Sequence, residues 1–500
     1  MEVWLLLILL GIITYFIVKH SVASITRTPV WILWLVLMIP ALIWSIWTLV
    51  YGQKAPMPTG LVIGPFVVCS LLYWLLIHRG RREPGSPPAN PTEAPKQNVE
   101  TKPATNSDAE GSLVRPIDKA EESNLRNCFP WSIYYLENLE YRPQAVLCRG
   151  KLRATPDLAY QTVRENIESH FGDRFFVIFQ ESFSGKPFFA LVPNPHSESA
   201  AKKRQNETLT RPGLALLLLG ITLFTTTIVG AGIGNVTAKQ VQSDPSVLLQ
   251  GLPYALALMV ILGIHELGHY LAARFYKIRT TLPYFIPLPP FIFPGTFGAF
   301  IQMRSPVPNR KALFDVSIAG PLAGFVITIP LLLWGIAHSE VVPLTEKSNL
   351  LNIDALNPRF SLLLTLLTKA VLGSAFTAKM AINLHPVAVA GYLGLIVTAL
   401  NLIPVWQLDG GHIVHAMFGQ RTSAVVGQIT RLLVLGLSFM HRELFLWALI
   451  LILMPSTDEP ALNDVSELDN RRDFLGLLAL ALLVSILLPV SGGLVRLLNV

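Results

Sequence analysis

The chain has 500 residues, of which 52% are hydrophobic and 14% are charged, and its formal net charge is +7. Its mean hydropathy of +0.49 lies outside the range of soluble globular proteins, so the composition indicates an integral membrane protein. The excess of Lys and Arg forms no basic stripe interleaved with aromatic residues. We therefore expect basic cytoplasmic loops and no nucleic-acid partner.

Three apolar segments lie near the start of the chain, around residues 3–18, 30–51 and 61–77, and predict a three-span membrane region over residues 1–82. The third segment is followed by Arg79, Arg81 and Arg82, which the positive-inside rule assigns to the cytoplasmic side. The next tract, residues 83–115, is rich in Pro, Ser, Thr and Asn and predicts a disordered linker.

Residues 116–200 predict a small soluble α+β domain on the cytoplasmic side. Thr155 and Pro156 are typical of the start of a helix. The elements expected in chain order are a helix over 131–140, a strand over 145–153, a helix from Pro156 to about Phe171, and strands over 174–180 and 187–193. This β-α-β-β order is compatible with a ferredoxin-like fold. No catalytic constellation stands out in it, so we expect a regulatory or docking module.

A second membrane region is predicted over residues 211–500. The expected spans lie near 214–233, 252–276, 313–336, 386–404, 423–440, 443–454 and 474–490. A further apolar segment, residues 360–374, is short and carries Lys369. The fold class expected is thus a polytopic α-helical membrane protein with a small cytoplasmic α+β domain.

The span at 252–276 contains the sequence HELGH, from His265 to His269. Two imidazoles and a carboxylate are costly in a membrane unless a partner compensates their burial. His265 and His269 are separated by one helical turn and project from one face, so their ring nitrogens could share a Zn²⁺ ion. Glu266 flanks them and could accept a proton from a water molecule at that ion. The alternative is a chance match, with both histidines satisfied inside a packed core.

A catalytic zinc site needs a third protein ligand and one open position. Asp409 follows an apolar helix and precedes two glycines, so it is either the third ligand or a residue of a polar turn. Pro404 interrupts helical geometry within the membrane region, and Asn401 could satisfy a freed backbone group or hold an extended peptide. Irregular backbone at such depth is tolerated where it lines a wet cavity.

HELGH in one span and NLIPVWQLDGG in a later one together resemble the site-2 protease family of intramembrane zinc metalloproteases, whose pattern is HExxH plus N-x-x-P-x(n)-D-G. The resemblance covers roughly residues 214–470. In that fold the helix that bears the Asp ends on the same side of the membrane as the HExxH helix. The resemblance therefore implies that segment 360–374 does not cross the membrane. The roles that it implies are zinc ligands for His265, His269 and Asp409, a general base for Glu266, and substrate-pocket residues for Asn401 and Pro404.

Two further stretches narrow the branch of that family. Residues 295–300 are similar to its membrane-associated β-loop, in which a strand around Gly298 could pair with an unwound substrate; the alternative is a Gly/Pro-rich surface loop. Residues 458–465 and the α+β domain resemble the cyanobacterial and plastid branch, called ethylene-dependent gravitropism-deficient and yellow-green. That branch often carries Gly-Asn-Leu-Arg, and Ser123 departs from its first position.

The function expected from these features is hydrolysis of peptide bonds within or beside transmembrane segments, as in regulated intramembrane proteolysis. The implied partners are a membrane-protein substrate and the lipid bilayer, in a plasma or thylakoid membrane with the active site towards the cytoplasm. One rival is a divalent-metal transporter, which predicts metal flux and no need for Glu266. The other is a non-catalytic scaffold derived from a protease, although such proteins usually lose a ligand or the Glu. Nothing in the sequence indicates the oligomeric state or the identity of the substrate.

Overall fold

The chain divides into two compact units, residues 1–107 and 108–500. In the first unit the computed structural model describes helix α1, Val30–Tyr51, with its two preceding residues and isolated residues nearby. The predicted spans at 3–18 and 61–77 lie mostly outside the described residues, and the predicted linker at 83–115 lies wholly outside them. In the second unit the described residues are 117–142, 145–182, 185–194, 211–344, 356–377, 379–439, 445–454 and 460–498.

An α+β domain occupies the first part of the second unit. Its elements are α2 (Lys119–Asn127), β1 (Tyr134–Arg142), β2 (Ala145–Leu152), α3 (Pro156–Phe171), β3 (Phe175–Glu181) and β4 (Pro187–Pro193). The four strands form an antiparallel sheet in the order β1-β2-β4-β3. Strand β4 therefore lies between β2 and β3, and β3 lies at an edge of the sheet.

The predicted helix over 131–140 is wrong, because most of this stretch is in β1. Tyr134 is buried while its neighbour Tyr135 is exposed, as expected of a strand with one face on a core. A register shift between Leu136 and Asn138 interrupts the alternation, and pairing with β2 decides the conformation. The other four predicted elements are present, so β-α-β-β is preceded by an additional strand. The ferredoxin-like fold stays a prediction.

Aromatic rings form the centre of the α+β domain. Phe179 stacks on Phe189 with ring centroids 4.2 Å apart, and Tyr134 meets Phe189 edge-on at 5.0 Å. Val465, from far along the chain, is buried in the same cluster. Cys148 is a free thiol whose pKa is raised by burial, so it stays protonated and packs as a small apolar group.

The rest of the second unit is mostly helical. Its helices are α4 (Pro212–Ile233), α5 (Ala238–Ser243), α6 (Leu252–Phe275), α7 (Arg310–Ala337), α8 (Leu362–Leu372), α9 (Pro386–Leu402), α10 (Asp409–Ser438), α11 (Phe445–Leu453), α12 (Asn470–Leu487) and α13 (Gly492–Leu498). Two small antiparallel sheets lie between them. One is the hairpin of β5 (Tyr284–Pro287) and β6 (Thr296–Phe300), and the other pairs β7 (Glu340–Pro343) with β8 (Met380–Asn383), with α8 between the two strands in the chain.

Four of the described helices are long and apolar enough to cross a membrane, namely α1, α4, α6 with the turn before it, and α7. Helix α8 has only 11 residues. A helix of that length spans about 16 Å, roughly half of the hydrocarbon core. Residues 360–374 are therefore too short to cross as a helix, in line with the resemblance noted above.

Helix α7 is the central element of this helical region and packs against α6, α9, α10 and α12. Small residues allow the closest of these contacts. A Cβ added at Gly335 of α7 would lie 2.4 Å from the backbone nitrogen of Ala388 in α9. Close backbone approach of this kind is how helices gain packing energy in a membrane.

We expect Phe189→Ala to weaken the α+β sheet strongly, because Phe189 is fully buried and contacts two other aromatic rings. The free energy of opening of the sheet should fall by about 3–5 kcal/mol. Amide hydrogen exchange of β2, β3 and β4 in the full chain measures it. The matched control is Leu158→Ala at an exposed position of α3, which should change that free energy by no more than about 0.5 kcal/mol.

Candidate metal centre

His265 and His269 lie one turn apart on α6, and both are buried. Their Nε2 atoms are 3.2 Å apart. The Nδ1 atom of His269 lies 2.8 Å from the backbone carbonyl oxygen of Val316 in α7. Because a carbonyl can only accept, Nδ1 carries the proton and donates it to this bond. The lone pair of His269 Nε2 is therefore free to bind a cation.

Asp409 is the first residue of α10 and meets the two rings. Its Oδ2 atom lies 3.3 Å from His269 Nε2 and 3.7 Å from His265 Nε2. One ligand atom from each of the three residues can be chosen so that all lie within 4.8 Å of one another. The predicted carboxylate and the predicted histidines thus converge, although the chain between them contains α7, α8 and α9.

Two glycines allow Asp409 to reach this place. A Cβ at Gly410 would lie 2.0 Å from the carbonyl oxygen of Leu402, and one at Gly411 would lie 2.4 Å from that of Val405. Only glycine permits such close approach of α10 to the end of α9 and the connection after it. Within that connection Gln407 has a positive φ of 72°, which non-glycine residues rarely adopt.

The donor set fits a zinc ion. Two imidazole nitrogens and one carboxylate oxygen are typical zinc ligands, and three protein ligands leave one position open, as catalytic sites require. Two ring nitrogens 3.2 Å apart beside a half-buried carboxylate also form a place where a cation would be stabilised. Among the residues that the structure describes, this is the only group of three His, Cys, Asp or Glu side chains arranged in this way.

Glu266 and Asn401, two further predicted site residues, stand beside the donors. The Nδ2 atom of Asn401 lies 3.0 Å from His265 Nε2. Glu266 is buried, and its carboxylate is faced by the backbone N–H of Ile301, one residue beyond β6. The end of the β5–β6 hairpin thus lies against the predicted general base.

Gly298 and Pro404, the remaining predicted site residues, occupy backbone positions around the centre. Gly298 lies in β6, pairs with Ile286 of β5, and has a φ of 113° with open space where a Cβ would be. Pro404 lies in the irregular connection between α9 and α10, where its carbonyl oxygen faces Gly427. The structure therefore brings His265, His269, Asp409 and Asn401 into direct proximity, with Glu266 next to them on α6.

Helix α7 contributes residues that the sequence analysis did not assign to the site. A Cβ at Gly320 would lie 2.1 Å from His269 Nε2, and one at Gly324 would lie 3.0 Å from His265 Nδ1. These glycines and Val316 form the surface against which both rings are fixed. Their signal in the sequence is the small-residue run AGPLAG, residues 319–324, which by itself indicates only close packing.

Comparison with known proteins identifies the region that contains this centre. Residues 253–440 match the model of peptidase family M50. This region is therefore similar to peptidase family M50. It includes all seven predicted site residues, and the resemblance to site-2 proteases drawn from the two motifs is confirmed.

Relatives in plants match the branch that the sequence predicts. From Arabidopsis thaliana, probable zinc metalloprotease EGY1, chloroplastic, is 38% identical over 48% of this chain and 43% of its own length. Probable zinc metalloprotease EGY2, chloroplastic, is 29% identical over 72% of this chain and 63% of its own length. Probable zinc metallopeptidase EGY3, chloroplastic, is 25% identical over 78% of this chain and 70% of its own length. The chain thus spans less than two thirds of the length of each of the first two relatives.

We expect Gly320→Ala to weaken zinc binding, because the new methyl group would displace the His269 ring. The affinity for Zn²⁺, measured by competition with a chromogenic chelator on the purified protein, should fall about tenfold or more. Gly220→Ala in α4 is the matched control, since nothing lies within 4 Å of the added Cβ there. Equal affinities in the two variants would contradict the role of α7 in fixing the ring.

Proposed function

We propose that this chain is an intramembrane zinc metalloendopeptidase that hydrolyses peptide bonds within or beside transmembrane segments of membrane proteins. The observation that carries the proposal is the convergence of the buried His265 and His269 with the half-buried Asp409, with Glu266 next to His265 on α6. The family match over 253–440 and the zinc metalloprotease names of the relatives support it.

The chain's residues divide the chemistry between them. A zinc ion held by His265, His269 and Asp409 would supply a Lewis acid that activates the scissile carbonyl and a water molecule. Glu266 takes the proton of the attacking water and returns it to the leaving amine. The Val316 carbonyl accepts from Nδ1 of His269 and so holds the tautomer that keeps Nε2 available.

The location of the two histidines on a helix long and apolar enough to cross a membrane supports this substrate class. A transmembrane helix hides its amides in hydrogen bonds between residues four apart, so a substrate must unwind locally before it is cut. Strand β6 has one partner strand, β5, among the described residues. Its other edge could hold the unwound segment by backbone hydrogen bonds, with Asn401 binding the peptide on the far side of the scissile bond.

We place the protein in a plasma or thylakoid membrane, with the active site and the α+β domain towards the cytoplasm. The helices α4, α6 and α7 support the multi-pass arrangement, and the chloroplast designation of the relatives supports a photosynthetic membrane. The released product would be a fragment of the substrate on the cytoplasmic side, as regulated intramembrane proteolysis requires.

Glu266→Gln should abolish cleavage while leaving zinc bound, because the amide keeps the shape of the side chain and cannot take a proton. Turnover should fall by about 10²- to 10⁴-fold. The assay is mass spectrometry of fragments from a pool of doubly tagged single-span segments, mixed with the purified protein in detergent. Leu267→Ala, at an exposed position of the same helix, is the control and should stay near the parent rate. Normal turnover by the Glu266 variant would rule out the base assignment.

Removal of zinc by a chelator such as 1,10-phenanthroline should stop fragment release from the same pool of segments. Adding Zn²⁺ back after dialysis should restore it, since three protein ligands hold the ion reversibly. Metal-independent cleavage would contradict the proposal. Zinc flux into vesicles without any fragment release would favour a transporter instead.

A further inference from the structure

A short extended segment outside the family region joins the α+β domain to the metal centre. This segment, residues 461–466, is called the strap here. It lies between α11 and α12, and five of its six residues are buried, namely Ala461, Asn463, Asp464, Val465 and Ser466. The Nδ2 atom of Asn463 donates to Ser466 Oγ at 2.7 Å, and this bond stabilises the conformation of the strap.

On one side the strap pairs with the edge strand of the α+β sheet. The N–H of Phe179 in β3 donates to the Leu462 carbonyl at 2.7 Å, and the N–H of Asp464 donates to the Phe179 carbonyl at 2.9 Å. Val465 is buried in the core of that domain. The strap thus forms a single parallel β-bridge to β3 at the edge of the sheet, between Asn463 and Phe179.

On its other side the strap pairs with the chain that enters α7. The N–H of Leu462 donates to the Val307 carbonyl at 2.9 Å, and that of Asn463 donates to the Pro308 carbonyl at 3.0 Å. The helix that begins there carries Val316, which holds the His269 ring. The position of this helix is therefore linked to the strap by backbone hydrogen bonds.

A buried, hydrogen-bonded pair of side chains links the strap to the helix that carries Asp409. The Nε2 atom of His415 donates to the Asp464 carboxylate at 2.9 and 3.1 Å from its two oxygens. The side chain of His415 is 0% exposed and that of Asp464 is 4% exposed. A buried pair of this kind has a preferred geometry and is costly to break. One residue along, the Ala416 carbonyl accepts from Arg310 Nε at 2.8 Å.

The part of α10 that the His415–Asp464 pair holds is short. At Gly419 the backbone has φ 82° and ψ 165°, which no helix contains, so α10 is kinked there. Residues 409–418 form a separate helical piece, called the Asp409 segment here. His415 lies in this segment, less than two turns after Asp409. A side chain that fixes so short a segment also fixes the carboxylate at its start.

We propose that Asp464 and His415 are positioning residues for the metal centre. They hold the Asp409 segment so that the Asp409 carboxylate faces the two histidines, and the strap makes this position depend on the docked α+β domain. The inference rests on the proposed zinc site, and it names Asp464, which lies beyond the region of family M50, as part of the site's support.

The test compares Asp464→Asn with the parent protein loaded with Co²⁺ in place of Zn²⁺. The visible absorption of bound Co²⁺ reports the ligand geometry for each occupied site. We expect Asp464→Asn to change this spectrum and to lower the affinity for Co²⁺ and Zn²⁺ about tenfold. Glu467→Gln, which removes an exposed charge three residues further on, should change neither.

Substitutions of His415 separate positioning from general stability. His415→Gln keeps an N–H donor for Asp464 and should retain most of the affinity and the parent spectrum. His415→Leu keeps the volume without the donor and should resemble Asp464→Asn. If the two residues act as a pair, their effects should not add. The double variant of Asp464→Asn and His415→Leu should then bind Co²⁺ at least as tightly as the single variant with the lower affinity. If Asp464→Asn cannot be purified in a folded form, the comparison of His415→Gln with His415→Leu provides the test.

Each outcome has one meaning. A parent spectrum and parent affinity in Asp464→Asn and in His415→Leu would overturn the positioning role while leaving the proposed function intact. Reduced yield of folded protein with an unchanged spectrum for each occupied site would also overturn it, because the pair would then only stabilise the fold. Failure of the parent protein itself to bind Co²⁺ or Zn²⁺ would instead reject the proposed function.

Discussion

The structure depends on bringing one carboxylate to two imidazoles inside a membrane protein. Asp409 reaches within 3.7 Å of both ring nitrogens from a separate helix. A bound cation would stabilise such a cluster, because uncompensated charge is costly away from water. The short α8, the irregular connection after α9 and the glycines at 410 and 411 all serve this convergence, since each determines the depth or the closeness at which α10 starts.

The sequence predicts local features of this site well and its supporting contacts poorly. His265 and His269 follow from a spacing of one helical turn, which any helix turns into a shared face. Asp409 could be joined to them only through the resemblance, because no rule of spacing relates residues on separate helices. Val316 and Gly320 escaped assignment for the same reason, since their importance arises where α7 meets α6. The small residues 319–324 indicate packing without naming its partner.

The α+β domain shows the same limit in another form. Residues 145–193 were predicted correctly because turns, a helix start and apolar runs agree with the tertiary arrangement. Residues 131–140 contain aromatic residues that suit either a helix face or a strand, and pairing with β2 selects the strand. The strap offers no periodic pattern, because its conformation comes from neighbours on both sides.

The position of β3 at the rim of its sheet has a practical consequence for anyone who dissects this protein. The strap covers the hydrogen-bonding groups of Phe179, and Val465 fills part of the hydrophobic interior. A fragment that stops after residue 194 would leave that rim bare and the interior incompletely filled. Bare rims of sheets recruit other chains and promote aggregation. The domain should therefore be produced together with residues 461–466, either in the whole chain or as a fusion that returns them to β3.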